Sequence, residues 1–125
     1  MNLLGIDYGS KHVGVAYSQG IWAEGLKSFS TKEALVRLGQ LIQEYKIELV
    51  VVGVPEGKMQ LPARRAGELL RKQTGVKIMY WDETLSSKLA QDFLIKSGSG
   101  QKKRRTKEHQ VAAAQILQSF LDSKH

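Results

Sequence analysis

The chain has no cysteine among its 125 residues. This absence excludes disulfide bonds, thiolate zinc sites and cysteine nucleophiles, so carboxylate oxygen or imidazole nitrogen would have to hold any bound metal. Such ligands favour hard ions such as Mg²⁺ or Mn²⁺. Long apolar runs are also lacking: no segment approaches the ~20 residues of a membrane span, and the N-terminal MNLLGI is too short for a signal peptide. We therefore expect a cytoplasmic protein with no membrane partner.

Acidic residues are in the minority, with twelve Asp and Glu against nineteen Lys and Arg and a formal net charge of +7. Such a charge attracts polyanions, although charge alone is equally compatible with a merely solvated surface. Its distribution is more informative, because five basic residues crowd directly after the SGSG stretch. They are Lys102, Lys103, Arg104, Arg105 and Lys107. A mobile basic loop at residues 97–105 would suit contacts with the phosphates of a nucleic acid.

The hydrophobic pattern predicts one domain over residues 1–125, with the element order β-β-β-α-β-α-β-α-α. The tight YGSK turn joins the first two strands as an antiparallel hairpin. Predicted strands are residues 2–7, 12–18, 22–29, 48–55 and 76–83, and predicted helices are residues 30–46, 61–74, 86–96 and 106–123. This order predicts an α/β fold: a mixed five-stranded sheet whose first three strands are antiparallel, with helices on both faces.

Acidic residues stand where two apolar strands end. Asp7 ends the first predicted strand and Glu83 ends the last one, so both can face the crevice beyond the carboxyl ends of the strands. Carboxylates that converge there can hold one or two divalent ions, which activate water for phosphodiester hydrolysis. Asp82 points to the opposite face from Glu83 by strand alternation, so the two should not share an ion. The alternative is that these acids only cap turns.

Four segments carry a resemblance that spans essentially the whole chain. In order, LLGIDYGSKHVGVAYS, ELVVVGVP, WDETLSS and HQVAAAQILQSFL resemble the motif blocks of the YqgF family of Holliday-junction-resolvase-like proteins. The resemblance implies a ribonuclease H-like fold and a hydrolase that acts on ester bonds, a nuclease that processes the 5′ end of precursor 16S rRNA. It further implies nucleic acid and ribosomal particles as partners of a monomer or homodimer. Branched DNA is the alternative substrate.

The resemblance also assigns a catalytic and metal-binding set of Asp7, Glu83 and His109. Asp7 matches the family's first-strand aspartate and Glu83 its glutamate, while Thr84 stands where the family has arginine. His109 occupies the position from which the last helix normally presents an aspartate. A neutral imidazole can bind a metal or accept a proton, but it lacks the negative charge of a carboxylate. One or two ions of Mg²⁺ or Mn²⁺ are therefore expected, with the second bound more weakly.

Several other residues receive weaker predictions. Lys11, Arg64 and Arg65 are expected to contact phosphates together with the basic cluster at 102–107, and Thr106 to cap the last helix. Trp22 and Trp81 are expected in the core rather than stacked on bases, and His12 receives no role.

Two further functions remain open from the sequence. One is a non-catalytic nucleic-acid-binding module that has lost its third carboxylate. The other follows from DYGSKHVGVA, which also resembles the first phosphate motif of actin-like and sugar-kinase ATPases. Those ATPases close two domains on the nucleotide, whereas residues 1–125 supply one.

Overall fold

The computed structural model describes residues 1–82 and 101–124, and the side chains of all of these except 101–107. The strands are β1 (Leu3–Tyr8), β2 (His12–Ser18), β3 (Ala23–Ser30), β4 (Leu49–Val54) and β5 (Lys77–Asp82). The helices are α1 (Ala34–Glu44), α2 (Gln60–Thr74) and α3 (Gln101–Ser123). The helix predicted at residues 86–96 lies outside the described residues.

The strands form one mixed sheet in the order β3-β2-β1-β4-β5. β2 is antiparallel to both β1 and β3, whereas β4 is parallel to both β1 and β5. The predicted mixed sheet with three antiparallel strands is thus confirmed. Since β1, β4 and β5 are parallel, their carboxyl ends share one edge of the sheet.

Helices cover both faces of the sheet, as predicted. On one face α1 and α2 pack against alternate strand residues such as Leu4 and Val52. On the other face α3 packs through Ile116 and Leu117 against residues such as Val51. β4 is buried on both sides because its neighbouring residues face opposite helical layers, which accounts for its unbroken apolar sequence. No helix in residues 1–82 and 101–124 is long and apolar enough to cross a membrane.

The two shorter helices differ slightly from the sequence expectation at their starts. A 3-10 turn at Thr31–Glu33 precedes α1, and the Ser30 side chain reaches Glu33 rather than a backbone N–H. Thr31 is instead held by the first hairpin, since its backbone N–H donates to the Lys11 carbonyl at 2.9 Å. α2 ends at Thr74, as predicted, and the left-handed φ of 75° at Gly75 and its N–H bond to the Arg71 carbonyl close the helix.

The last helix begins at Gln101, so the prediction of a start at Thr106 with a threonine cap is wrong. The basic cluster at 102–107 belongs to the first two turns of α3 and is not a loop. Its Lys and Arg residues, like Gln101 before them, are strong helix formers, and no Gly or Pro interrupts the chain between Gly100 and Ser123. The loop prediction relied on the run of positive charge and neglected the helix propensity of the same residues.

Candidate active site

Asp7 is a buried carboxylate close to the carboxyl end of β1. Its neighbours across the sheet are Gly14 on β2 and Gly53 on β4, neither of which has a side chain. Alternation along β1 puts Asp7 on the same face as Leu3, which packs in the core beneath α3. Asp7 is only 6% exposed. An acid with so little access to water needs a polar or charged partner to remain ionised.

His109 supplies that partner because α3 lies unusually close to the sheet. A Cβ added to Gly14 would stand 2.1 Å from the His109 carbonyl oxygen, and one added to Gly5 would stand 2.8 Å from the Ala113 carbonyl oxygen. These two glycines therefore let the helix backbone rest almost directly on the strands. The approach brings the first described side chains of α3 into contact with the end of β1.

Asp7 and His109 form a direct pair, with His109 Nδ1 2.9 Å from Asp7 Oδ2. This hydrogen bond raises the pKa of His109 above its ordinary value of 6.5. Burial opposes the rise, while the negative charges of Asp7 and Glu108 add to it. When Nδ1 carries the proton that Asp7 accepts, Nε2 keeps the free lone pair of the ring. The pair thus combines a fixed carboxylate with an imidazole whose tautomer is set by its neighbour.

Glu83, the other acid of the predicted set, lies outside the described residues, so the structure does not test it. β5 ends at Asp82, and Trp81 lies in register with Gly53 and hence in the same row as Asp7. Trp81 packs on the α3 side, which assigns its neighbour Asp82 to the opposite face, as alternation predicts. Within residues 1–82 and 101–124, no three His, Asp or Glu side chains are close enough together to hold a metal.

The predicted phosphate-contacting residues lie on three different elements of the fold. Lys11 is exposed in the β1–β2 turn, and Arg65 is exposed on α2. The basic cluster occupies the two turns of α3 that precede His109, so its backbone begins about 10 Å from that residue along the helix. Lys11 and the cluster thus adjoin the residues beside Asp7, whereas α2 with Arg65 lies on the opposite face of the sheet from α3.

Arg64 lines a cleft of about 250 Å³ at the carboxyl ends of β4 and β5. Its guanidinium carbon is 5.0 Å from the centre of the Tyr80 ring. The Tyr80 hydroxyl is 2.8 Å from Glu68 Oε2, and burial together with this hydrogen bond raises the pKa of Tyr80 to about 12. The remaining lining residues are Val54, Pro55, Glu56, Gln60, Trp81 and Asp82. The cleft is polar, with both positive and negative side chains.

The two tryptophans have different environments. Trp81 meets Phe120 edge-on, with ring centres 5.6 Å apart, and its Nε1 donates to Ser119 at 3.1 Å. The core prediction is confirmed for Trp81 and wrong for Trp22, which is 79% exposed. Trp22 precedes β3 rather than belonging to it, and Gln118 holds the backbone on either side of it at Ile21 and Ala23.

His12 is a neighbour of the pair that the sequence analysis passed over. Its ring centre lies 5.9 Å from that of His109, with the ring planes tilted by 47°. Strand alternation in the sequence could have indicated this contact. His12 stands two residues before Gly14, so the two residues lie on the same face of β2. A histidine that close to the hairpin turn shares the edge at which Asp7 lies.

The sheet order and the two helical layers define a ribonuclease H-like fold. RuvC of T. thermophilus in complex with a Holliday junction substrate has a similar fold, with a TM-score of 0.65, 17% identity and coverage of 99% of this chain and 95% of that one. The resolvase of Fowlpox virus, solved with Holliday junction DNA, gives a TM-score of 0.65 at 13% identity, with 99% of both chains covered.

Sequence comparison identifies the family. The family model RuvX, described as Holliday junction resolvase, matches residues 1–123, and the chain belongs to this family. A relative from Geobacillus kaustophilus is 37% identical over 99% of both chains, and one from Agathobacter rectalis is 34% identical over 98% of this chain and 95% of its own. Both bear the name "Putative pre-16S rRNA nuclease". The resemblance seen in the four motif blocks is thereby confirmed.

Proposed function

We propose that this chain is a metal-dependent nuclease that hydrolyses phosphodiester bonds while trimming the 5′ end of precursor 16S rRNA. The observation that carries the proposal is the pair of buried Asp7 and half-buried His109, 2.9 Å apart at the carboxyl edge of the sheet, in a chain of the RuvX family. The names of relatives that match almost the full length favour rRNA over other nucleic acids.

The donor atoms at this edge fit a hard divalent ion. Asp7 offers carboxylate oxygen and His109 imidazole nitrogen, and the chain contains no thiolate to attract softer metals. We propose Glu83 as the additional carboxylate, since it follows Trp81 by two residues and Trp81 faces α3. A mixed oxygen and nitrogen set suits Mn²⁺ better than Mg²⁺, which strongly prefers oxygen. When bound, such an ion polarises the phosphate and lowers the pKa of the attacking water.

The chain's own groups would divide the remaining work. Asp7 would accept a hydrogen bond from Nδ1–H of His109, which leaves the Nε2 lone pair to bind the ion or to take a proton from water. Because the α3 backbone packs directly against Gly14, the His109 imidazole is held in place relative to the Asp7 carboxylate. Little reorganisation of the two groups would be needed during the reaction. Because His109 replaces a charged carboxylate by a neutral ligand, a second ion should bind more weakly than the first.

Nucleic-acid binding would depend on the basic residues that surround the edge. We propose that Lys11, Arg64, Arg65 and the α3 cluster of Lys102, Lys103, Arg104, Arg105 and Lys107 contact the phosphate backbone. Each such contact releases about 0.7 counterions from a single strand, so the affinity should fall steeply with salt. The protein would act in the cytoplasm on ribosomal particles or their RNA, as a monomer or a homodimer.

A cleavage assay with two substrates tests the proposal. Purified protein is incubated in Mn²⁺ or Mg²⁺ with end-labelled RNA that carries the 16S 5′ leader, and separately with a four-way DNA junction. We expect cleavage of the RNA at or near the mature 5′ end and little cutting of the junction. Preferential, symmetric cutting of the junction would instead favour the resolvase described by the family model. Salt-sensitive binding without cleavage of either substrate would identify a non-catalytic module.

A further inference from the structure

A second histidine stands beside the Asp7–His109 pair. The His12 ring centre is 5.9 Å from that of His109, and His12 is exposed while Asp7 is buried. Its position at the start of β2 brings it to the face covered by α3, on the solvent side of the pair. His12 therefore presents a solvent-accessible ring next to that of His109.

The turn that carries His12 is fixed on both sides. The Gly9 N–H donates to the His12 carbonyl at 2.9 Å, which closes the turn. Thr31, the residue after β3, holds the other side of the turn. Its hydroxyl donates to the Gly9 carbonyl at 2.8 Å and its N–H donates to the Lys11 carbonyl at 2.9 Å. Gly9 also has no room for a side chain, since an added Cβ would stand 2.6 Å from the His12 carbonyl oxygen. The imidazole of His12 is thus presented from an anchored backbone.

The placement of His12 argues for substrate contact rather than metal binding. Among the described residues, Asp7, His12 and His109 are not arranged as a group that could hold a metal. An exposed imidazole has at least one N–H donor in either neutral tautomer, and a phosphate oxygen accepts such a bond strongly because it is charged. Lys11 precedes it in the same turn and contributes positive charge there.

We propose that His12 donates an imidazole N–H to the phosphodiester backbone of the nucleic acid held at Asp7 and His109, which makes the 9–12 turn a phosphate-binding subsite. The inference rests on the proposed nuclease function. It makes His12 a residue that contacts substrate and leaves the ion to Asp7, His109 and Glu83. One charge-assisted hydrogen bond at an exposed position corresponds to about a ten-fold effect on affinity.

Two substitutions separate hydrogen bonding from ring packing. His12→Phe keeps an aromatic ring against His109 but removes the N–H donor, whereas His12→Gln removes the ring and keeps an amide N–H. The matched control is Gln43→Phe, at an exposed position on α1. For each protein we would measure the Kd of the leader RNA in Ca²⁺, KM and kcat in Mn²⁺, and the rise in Tm on adding Mn²⁺.

His12→Phe should raise both Kd and KM about ten-fold. The Kd and KM of His12→Gln and Gln43→Phe should stay within about three-fold of the wild-type values. The Mn²⁺-induced rise in Tm should be the same in all four proteins. The proposal is overturned if His12→Phe binds as wild type does, if His12→Gln is the more damaged variant, or if His12→Phe loses the Mn²⁺ response. Absence of cleavage by the wild type would refute the nuclease function itself, and the Kd series would still decide the role of His12.

Discussion

Replacing Gly14 by alanine should disturb both the stability of the protein and its candidate site. An added Cβ would stand 2.1 Å from the His109 carbonyl oxygen and 2.2 Å from the carbonyl carbon. Ordinary contacts begin near 3.4 Å, so α3 would have to retreat from β2 by more than 1 Å. Because the obstructing atoms are helix backbone, no side-chain rotation can relieve the clash.

The size of the effect follows from this forced separation. Overpacking typically costs 1–3 kcal/mol, and the backbone clash points to the upper end, about 3 kcal/mol. For a domain of this size that loss lowers Tm by about 10 °C. A retreat of 1 Å would also stretch the Asp7–His109 hydrogen bond from 2.9 Å beyond bonding distance, so cleavage should fall at least ten-fold. The pKa of His109 should drop back toward its ordinary value.

Thermal unfolding, single-turnover cleavage and NMR titration of His109 measure these three effects. The matched control is Gly39→Ala in the middle of α1, where an added Cβ meets no atom within 4 Å. Alanine there should stabilise the helix by about 0.5–1 kcal/mol and leave cleavage unchanged. If Gly14→Ala matched wild type in Tm and in the pKa of His109, the close approach of α3 to β2 would be disproved.

Three further predictions concern the charged groups of the site. Because the pKa of His109 is raised in the folded state, protonated His109 stabilises the metal-free fold at pH below 6.5, and this stabilisation is lost as pH rises through the folded-state pKa. Asp7→Asn should therefore lower the pKa of His109 measured by NMR. The loss of stability in Asp7→Asn relative to wild type should shrink with rising pH. Glu83→Gln should slow cleavage at least a hundred-fold while Asp82→Asn costs under ten-fold, since strand alternation directs Asp82 away from Asp7; equal losses would argue against this assignment. Mn²⁺ should raise Tm more than Mg²⁺ does at equal concentration, and Asp7→Asn should abolish the rise; an unchanged rise in that variant would locate the ion elsewhere.

Much of the fold was predictable because its signals are local. The alternation in β1 and β2, the continuous apolar run of β4 and the Gly75 stop of α2 each depend on residues adjacent in sequence. The start of α3 was misjudged because positive charge and a preceding Gly-Ser stretch imitate a loop. Trp22 was misassigned because hydrophobicity does not reveal whether a residue lies in a strand or in the turn before it.

The candidate site was only partly accessible from the sequence. Asp7 and His109 are 102 residues apart in the chain, and the family motifs, not local periodicity, brought them together. The motifs did not show that Gly5 and Gly14 allow α3 to pack closely against β1 and β2. The same packing places His12 beside His109, a contact that depends on the depth of α3 and on the hairpin turn together.

The proposed function depends most on the role of Asp7 in a metal-dependent phosphodiesterase centre. Single-turnover cleavage of leader RNA by wild type and by Asp7→Asn, at saturating RNA and Mn²⁺, tests it most directly. We expect the wild type to cleave only with the metal, and Asp7→Asn to cleave at least a hundred-fold more slowly with RNA affinity little changed. Cleavage by Asp7→Asn at the wild-type rate would contradict it.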